Sequence, residues 1–309
     1  MKVLITGGAG FIGSHIAEAL LKKGYEVRIL DNFSTGERAN IREIEEKIEV
    51  IEGSITDKKT VDEAMEGVDY LFHQAAQVSV AESVKNPTKT WDINIKGTKL
   101  VLNAAVKNKV KKAIIASSAA VYGDDPQLPK REDMKPQPIS PYGNSKLMNE
   151  YIAETEHRIN GLNAICLRYF NVYGPRQSPK SEYAGVISKF IEKMINGERP
   201  IIYGDGEQTR DFVYVKDVVN ANILAMESEK VKSGVFNIGT GNETSINELV
   251  RTINEILEKN IEPIYEPARE GDIKRSVADI TKAKRKLGYK PRYTLKDGLK
   301  KTIEWYKKR

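Results

Sequence analysis

Along the first half of the chain, short apolar runs alternate with segments whose apolar residues recur every three or four positions. The runs Lys2–Thr6, Tyr25–Asp31, Glu49–Glu52, Tyr70–His73, Lys112–Ser118 and Asn163–Tyr169 read as strands. Between them the helical spacing predicts helices over Phe11–Lys23, Asp57–Glu66, Thr90–Asn108 and Pro141–Asn160. Strands separated by helices of this length cannot be joined as hairpins, so the connections cross over and the strands lie parallel, covered on both faces. The fold class this predicts is α/β, a doubly wound parallel sheet.

Prolines refine that outline. Pro126, Pro129, Pro136, Pro138 and Pro141 exclude regular structure between Gly123 and Tyr142, and Ser140-Pro141 supplies an N-cap and a first-turn proline for the fourth helix. After Tyr169 the elements shorten and are separated by Gly-Pro, Gly-Asp-Gly and Glu-Pro, with Ser245 and Glu248 at capping-box spacing. We expect residues 1–174 to form one domain and 175–309 a smaller mixed α/β domain, part of which returns to pack on the first.

With 309 residues, 40% of them hydrophobic, the chain can bury an ample core. Its 49 basic residues nearly balance 43 acidic ones, giving +6, and both signs are interspersed on helix-like segments. This is the pattern of a solvated surface, so no nucleic-acid partner is expected. The one cysteine, Cys166, lies in an apolar run and cannot form an intrachain disulfide; a buried thiol in a reducing cytoplasm is the expectation. The apolar start ends at Thr6-Gly7-Gly8, and no run approaches the roughly 20 residues that span a bilayer. His15, His73 and His157 have no companion ligands at metal spacing, so no metal is expected. Trp91 and Trp305 read as packing residues, and Met148 as core or interface.

Gly7-Gly8-Ala9-Gly10-Phe11-Ile12-Gly13 joins the first strand directly to the first helix. Gly7, Gly10 and Gly13 permit a tight turn and a close backbone approach to a pyrophosphate, while the helix N-terminus adds positive partial charge. Three glycines in a loop are common. This motif gains meaning from its place between strand and helix, and from an acid, Asp31, that ends the second strand 18 residues after Gly13. Such an acid accepts hydrogen bonds from the adenosine ribose and repels a 2′-phosphate, which predicts NAD rather than NADP.

Tyr142 and Lys146 stand at i and i+4 near the start of the fourth helix and share a face. A phenol titrates near pH ~10, and a neighbouring ammonium lowers that value, so the pair is expected to make a general base near neutral pH. The same spacing also occurs in ordinary surface pairs. Ala116-Ser117-Ser118 favours chemistry, because it ends a predicted parallel strand at the edge where doubly wound sheets hold ligands.

Together, the glycine motif, Asp31-Asn32, Ser118 followed by Val121-Tyr122-Gly123, and Tyr142-x-x-x-Lys146 resemble the extended short-chain dehydrogenase/reductase superfamily, most like its UDP-glucose 4-epimerases. The second half resembles them too, in Leu167-Arg168-Tyr169-Phe170-Asn171-Val172-Tyr173-Gly174-Pro175, Gly204-Asp205-Gly206, Thr209-Arg210-Asp211-Phe212 and Arg269-Glu270-Gly271-Asp272. The resemblance implies that Tyr142 is the base, Lys146 binds the nicotinamide ribose and Ser118 hydrogen-bonds the sugar 4-hydroxyl. It implies that NAD is held by the glycine turn with Phe11 and Ile12, by Asp31, Asn32, Ser34, Thr35 and Gly36, by Ser54 and Ile55, by Gln74, Ala75 and Ala76, and by Asn94 and Tyr169. The UDP-sugar falls to Ser118, Tyr142, Asn171, Val186, Tyr203, Arg210, Arg269, Asp272 and Ser276. Of these, Asn171 and Arg210 hold the diphosphate, Tyr203 packs on uracil, and Arg269 with Asp272 holds phosphate and ribose. Arginine suits this role because its planar fork matches phosphate oxygens.

The implied reaction is C4 epimerisation of a UDP-hexose through a transient 4-keto sugar. Related dehydratases and decarboxylases carry carboxylic acids just after the serine, whereas this chain has Ala119 and Ala120. The rival readings are a UDP-uronate 4-epimerase, another nucleotide-sugar reductase or dehydratase, and a cofactor-sensing regulator without activity. Ser276 occupies the position where a bulky aromatic residue excludes N-acetylhexosamines, so UDP-GlcNAc and UDP-GalNAc are expected substrates as well. One departure stands out: the family usually has Gly-Asp after the third strand, contacting adenine, and this chain reads Gly53-Ser54. The resemblance also implies a homodimer packed through the helices Thr90–Asn108 and Pro141–Asn160, with Leu147, Tyr151 and Ile152 as compatible apolar positions.

Overall fold

The computed structural model describes residues 1–179, 185–268 and 273–308. Six parallel strands, β1 (Lys2–Thr6), β2 (Glu26–Asp31), β3 (Glu49–Glu52), β4 (Tyr70–His73), β5 (Lys112–Ser118) and β6 (Ala164–Tyr169), are joined by a seventh, Ser233–Ile238. Their order across the sheet is β3-β2-β1-β4-β5-β6-seventh, all parallel. The winding reverses between β1 and β4, which opens a crevice at the C-terminal ends of those strands.

Helices α1 (Phe11–Lys22), α2 (Lys58–Met65), α3 (Val80–Lys85), α4 (Pro87–Trp91), α5 (Thr98–Lys107), α6 (Pro141–Asn160), α7 (Val186–Ile195), α8 (Val215–Glu227), α9 (Ile246–Leu257), α10 (Thr281–Leu287) and α11 (Leu295–Lys307) complete the chain. Side chains alternate across a strand, and β1 shows the consequence: Val3 and Ile5 enter one core with Ile16 of α1 and Val218 of α8, while Leu4 enters the other with Val61 of α2 and Leu102 of α5. Strands buried on both faces must be apolar throughout, which is why these runs were legible as strands.

α8 and the seventh strand, although late in the chain, pack in the first of these cores, as do Ala283 and Leu287 of α10. A third core joins Phe190 and Met194 of α7, Leu249 and Ile253 of α9, and Leu299 and Ile303 of α11. Three two-stranded ribbons border it: Asn171–Tyr173 with Phe212–Tyr214, Ile201–Tyr203 with Ile264–Glu266, and Thr209–Arg210 with Thr244–Ser245. His15 on α1 fastens the two halves, its Nε2 meeting the Pro175 carbonyl at 3.0 Å.

α6 has the bounds its sequence signals require. The Ser140 hydroxyl accepts the Gly143 N–H at 3.0 Å, and Gly161 ends the helix at φ 71°, a conformation that favours glycine. The helix expected over Thr90–Asn108 differs. It is assembled from α4, a π-helical turn (Asp92–Gly97) and α5, and begins at Pro87. A single widened turn leaves no periodic signal, and Gly97 within it lets the helix approach Ile55, where a β-carbon would lie 2.8 Å from Cδ1. α3 was not anticipated, because Val78-Ser79-Val80 alternates like a strand; the Ser79 hydroxyl caps it on the Glu82 N–H. Trp91 is not a packing residue in this chain, being 46% exposed. Among the described residues, no helix is long and apolar enough to cross a membrane.

Candidate active site

The C-terminal ends of β1, β2, β4, β5 and β6 carry Thr6, Asp31, His73, Ser118 and Tyr169. The turn after Thr6 shows why it must be glycine-rich. Gly7 has φ 69°, and a β-carbon on Gly13 would lie 2.2 Å from the Gly7 carbonyl oxygen, so α1 could not dock on its own turn. Gly10 is the N-cap of α1 and makes no side-chain cap, which leaves the first-turn N–H groups to face the crevice beside Phe11 and Ile12.

Asp31 closes this turn rather than projecting freely. Its carboxylate accepts the Ala9 N–H and the Phe33 N–H, each at 2.9 Å. Burial raises its pKa and the two backbone donors oppose that rise. The following loop is drawn back to the same place, because the Glu37 N–H and the Asn40 side chain both donate to the Ala9 carbonyl. Asn32 accepts from Ser34, Thr35 is exposed, and Gly36 lies against the Asp31 carboxylate. Beyond β3, the Ser54 hydroxyl is turned onto Thr56 rather than held out as an acceptor, while Ile55 is buried under Gly97.

Next to this, Gln74 and Ala75 donate their backbone N–H groups to Thr6, with Ala76 following in the same segment. Asn94 lies on the π-turn, fully buried; its amide donates to Gln77 O and Ser145 Oγ, both at 2.9 Å, and it accepts the Gln77 N–H. Tyr169 donates to Asn222 Oδ1 at 3.0 Å. Thr6, Gln77, Ser145 and Asn222 are therefore part of this framework and were missed; polar residues whose partners lie far away in the chain carry no spacing signal of their own.

Tyr142, Lys146 and Ser118 converge. Lys146 Nζ lies 5.9 Å from the centre of the Tyr142 ring and donates to Ala116 O at 2.9 Å, and the Ser118 hydroxyl, which accepts the Ala120 N–H at 3.1 Å, lies beside the Tyr142 phenol. The Tyr142 N–H is held by Ser83 Oγ of α3 at 3.1 Å. The electrostatics correct the sequence expectation. Burial raises the Tyr142 pKa, and the nearby Ser118 hydroxyl, not the charge of Lys146, opposes it. Burial also lowers the Lys146 ammonium to about 8. The protein alone thus holds Tyr142 as a neutral phenol, and further positive charge is needed to make it a base.

That shift has a measurable sign. Between pH 8 and the ordinary lysine value of 10.5, folded Lys146 binds fewer protons than unfolded Lys146, so stability rises with pH through that window. The charged form is disfavoured by up to ~3 kcal/mol below it. Urea unfolding of wild type and Lys146→Met at pH 7 and pH 10 should therefore show the wild type gaining stability relative to the variant at the higher pH; parallel behaviour would remove the argument.

The residues expected to meet the sugar nucleotide lie on the ribbons bordering the sheet edge. Asn171 follows β6 two residues after Tyr169, and its N–H donates to Asp211 O. Arg210 precedes Asp211, and Ser276 N donates to Thr209 O at 3.2 Å, so Asn171, Arg210 and Ser276 are brought to one region. Asp211, buried, ties it together by accepting from Thr240 N, Thr240 Oγ1, Gly241 N and Ala278 N. Tyr203 ends its short strand half-buried, and Val186 opens α7 against the third core. Arg269 and Asp272 lie outside the described residues. Among the described residues, no group of three His, Cys, Asp or Glu could hold a metal ion.

An uncapped helix N-terminus behind three glycines, a carboxylate on the adjacent strand end and a buried lysine beside a tyrosine together fit a dinucleotide with a reactive ring near Tyr142. The model of the NAD dependent epimerase/dehydratase family matches residues 3–239. The chain superimposes on the crystal structure of a Thermotoga maritima UDP-glucose 4-epimerase with UDP-glucose, with TM-score 0.95, 44% identity, and coverage of 100% of this chain and 99% of that one. It superimposes equally on a UDP-N-acetylglucosamine 4-epimerase from Methanobrevibacter ruminantium M1, with TM-score 0.95, 41% identity and coverage of 99% and 98%. It is also 37% identical, over 99% of its own length and 98% of the other, to a UDP-N-acetyl-alpha-D-glucosaminuronate decarboxylase from Bacillus cytotoxicus. With this fold, this glycine turn and these relatives, the chain belongs to the NAD dependent epimerase/dehydratase family.

Proposed function

We propose that the protein is a UDP-hexose 4-epimerase that interconverts UDP-glucose and UDP-galactose and also accepts the N-acetylated pair. The observation that carries this reading is the Ser118–Tyr142–Lys146 cluster followed by Ala119 and Ala120, whose methyl groups cannot transfer a proton. A family member with a base but no further acid beside the sugar can oxidise and re-reduce C4, whereas elimination of water across C5 and C6 needs an additional proton donor.

When bound, NAD supplies a reversible two-electron oxidation of the C4 carbinol. The residues proposed to hold it are Gly7, Gly10, Gly13 and Asp31 around the adenosine diphosphate, with Asn94, Lys146 and Tyr169 toward the nicotinamide. As the phenolate, the Tyr142 oxygen takes the O4 proton as C4 is oxidised and gives it back after the 4-keto sugar has turned its other face. Ser118 Oγ orients O4, and Lys146, held by the Ala116 carbonyl, would bind the nicotinamide ribose. Asn171, Val186, Tyr203, Arg210, Arg269, Asp272 and Ser276 hold the UDP-sugar; all but Asn171 lie in residues 175–309, the segment proposed to serve the substrate, while residues 1–174 serve the cofactor and carry the catalytic groups.

We also propose that the enzyme is a cytoplasmic homodimer. The apolar residues left in water on neighbouring helices support this: Val80, Val84, Trp91, Met148, Tyr151 and Ile159, the last 75% exposed. Leu147 and Ile152, apolar positions compatible with such packing, are partly buried against the chain's own cores.

Incubating purified protein with UDP-galactose, and separately with UDP-GlcNAc, is expected to give the C4 epimers and no net oxidation. A 4-keto-6-deoxy product, or release of CO2 from a UDP-uronate, would reject the reading. Ser276→Tyr is expected to cut kcat/KM for UDP-GlcNAc ~10-fold or more, with UDP-galactose little changed. Equal losses on both sugars would remove Ser276 as the determinant.

A further inference from the structure

His73, at the end of β4, is fully buried and takes no part in the chemistry just described, yet both of its ring nitrogens are engaged. The direction of each bond is set by its neighbours. Thr98 Oγ1 spends its proton on the Asn94 carbonyl at 2.5 Å, so it must accept from His73 Nε2 at 2.8 Å. Thr6 Oγ1 already accepts the Ala75 N–H, and its proton is free to go to His73 Nδ1 at 2.7 Å. One tautomer satisfies every group: Nε2 carries the proton and Nδ1 accepts. A second proton on the ring would point at the Thr6 hydroxyl and leave that hydroxyl's own proton without an acceptor. Burial and the nearby Lys146 charge act in the same direction, taking the ring to about 3.

The result is a buried chain of hydrogen bonds between two parts of the site that are distant in sequence. It begins at the segment Gln74–Ala76 and the end of β1, passes through the imidazole to Thr98 and the π-turn, and continues from Asn94 through Ser145 Oγ to the Tyr142 carbonyl at 2.7 Å. A π-turn has a looser hydrogen-bond pattern than an α-helix, so something must hold its carbonyls in one arrangement.

We propose that His73, as the neutral Nε2–H tautomer, is a positioning residue that locks the π-turn bearing Asn94 to the ends of β1 and β4 and thereby sets the backbone of Tyr142. The catalytic consequence rests on the reading that Tyr142 is the base; the structural linkage does not.

Two measurements separate them. Nitrogen-15 NMR of the wild-type ring should show Nε2 protonated and Nδ1 bare, unchanged from pH 5 to 8, and Thr98→Val should shift both the ring resonances and the Tyr142 amide, whereas Thr98→Ser should not. In turnover, His73→Phe and Thr98→Val should each lower kcat ~10-fold with KM for the UDP-sugar within about twofold, and Thr98→Ser should restore kcat. A ring that titrates near 6.5, an Nδ1–H tautomer, or a Tyr142 amide unmoved by Thr98→Val would overturn the linkage. Lowered thermal stability with kcat unchanged would reduce His73 to a packing role. If wild type turns over no UDP-sugar while the Tyr142 amide still responds, the linkage stands and the epimerase reading fails.

Discussion

Tyr142→Phe is expected to lower kcat for UDP-galactose interconversion on the order of 10³-fold, within the range a positioned acid–base contributes. The substitution removes one oxygen from a half-buried ring that the Ser83 hydroxyl anchors through the backbone, so the fold and sugar-nucleotide binding should survive. The effect should therefore fall on kcat, with KM changed little, as for an interaction made in the transition state alone. Ser118→Ala should lose less, because Tyr142 keeps its proton-transfer role when the neighbouring hydroxyl is gone. The check is C4-epimer formation by wild type and both variants under saturating substrate. A Tyr142→Phe enzyme within tenfold of wild type would show that another group moves the proton.

The second large effect concerns stability. Glu150, eight residues after Tyr142 on α6, accepts from Arg168 Nε at 2.8 Å and Nη2 at 2.7 Å, and from Ser117 Oγ at 2.5 Å. Both side chains are about 95% removed from water, and the guanidinium also lies 4.7 Å from the centre of the Tyr122 ring. Breaking such a pair strands a buried charge. Glu150→Ala should cost about 3–5 kcal/mol and lower Tm by roughly 10 °C. Arg168→Met should do comparable damage by leaving the carboxylate alone. The Glu150→Met/Arg168→Met double variant should recover much of the loss, since two apolar side chains need no partner. Additive losses in that cycle would mean the pair is not the cause. Because the bridge pins the helix carrying Tyr142 and Lys146 to β5 and β6, the single variants should lose activity below their melting temperatures too.

The first half of the molecule was readable from the chain because its signals are local. Four of the first six strands match their apolar runs residue for residue and the other two differ by one at the start, and α6 begins and ends on the cap residues that demand it. The Gly7–Gly13 turn and Asp31 were legible for the same reason: a tight turn, a close helix approach and a strand-end acid each leave a residue-type mark. The pairing of Tyr142 with Lys146 followed from helical spacing alone.

Burial and long-range pairing left no such mark. That Lys146 sits in a dry site with its ammonium pulled toward 8, while Tyr142 is pushed up rather than down, depends on what surrounds them, and sequence spacing carries no dielectric. The π-turn at Asp92–Gly97, the return of α8 and the seventh strand to the first core, and the exposure of Trp91 are products of packing between elements far apart in the chain. The same is true of His73. A histidine at a strand end carries no instruction in the sequence; its tautomer and its hold on Asn94 exist because folding brings Thr6 and Thr98 to opposite sides of one ring. Local backbone chemistry thus wrote the strands, the caps and the glycine turn into the chain, while the protonation states and the links between parts of the candidate site arose only when distant side chains shared a common, water-poor interior.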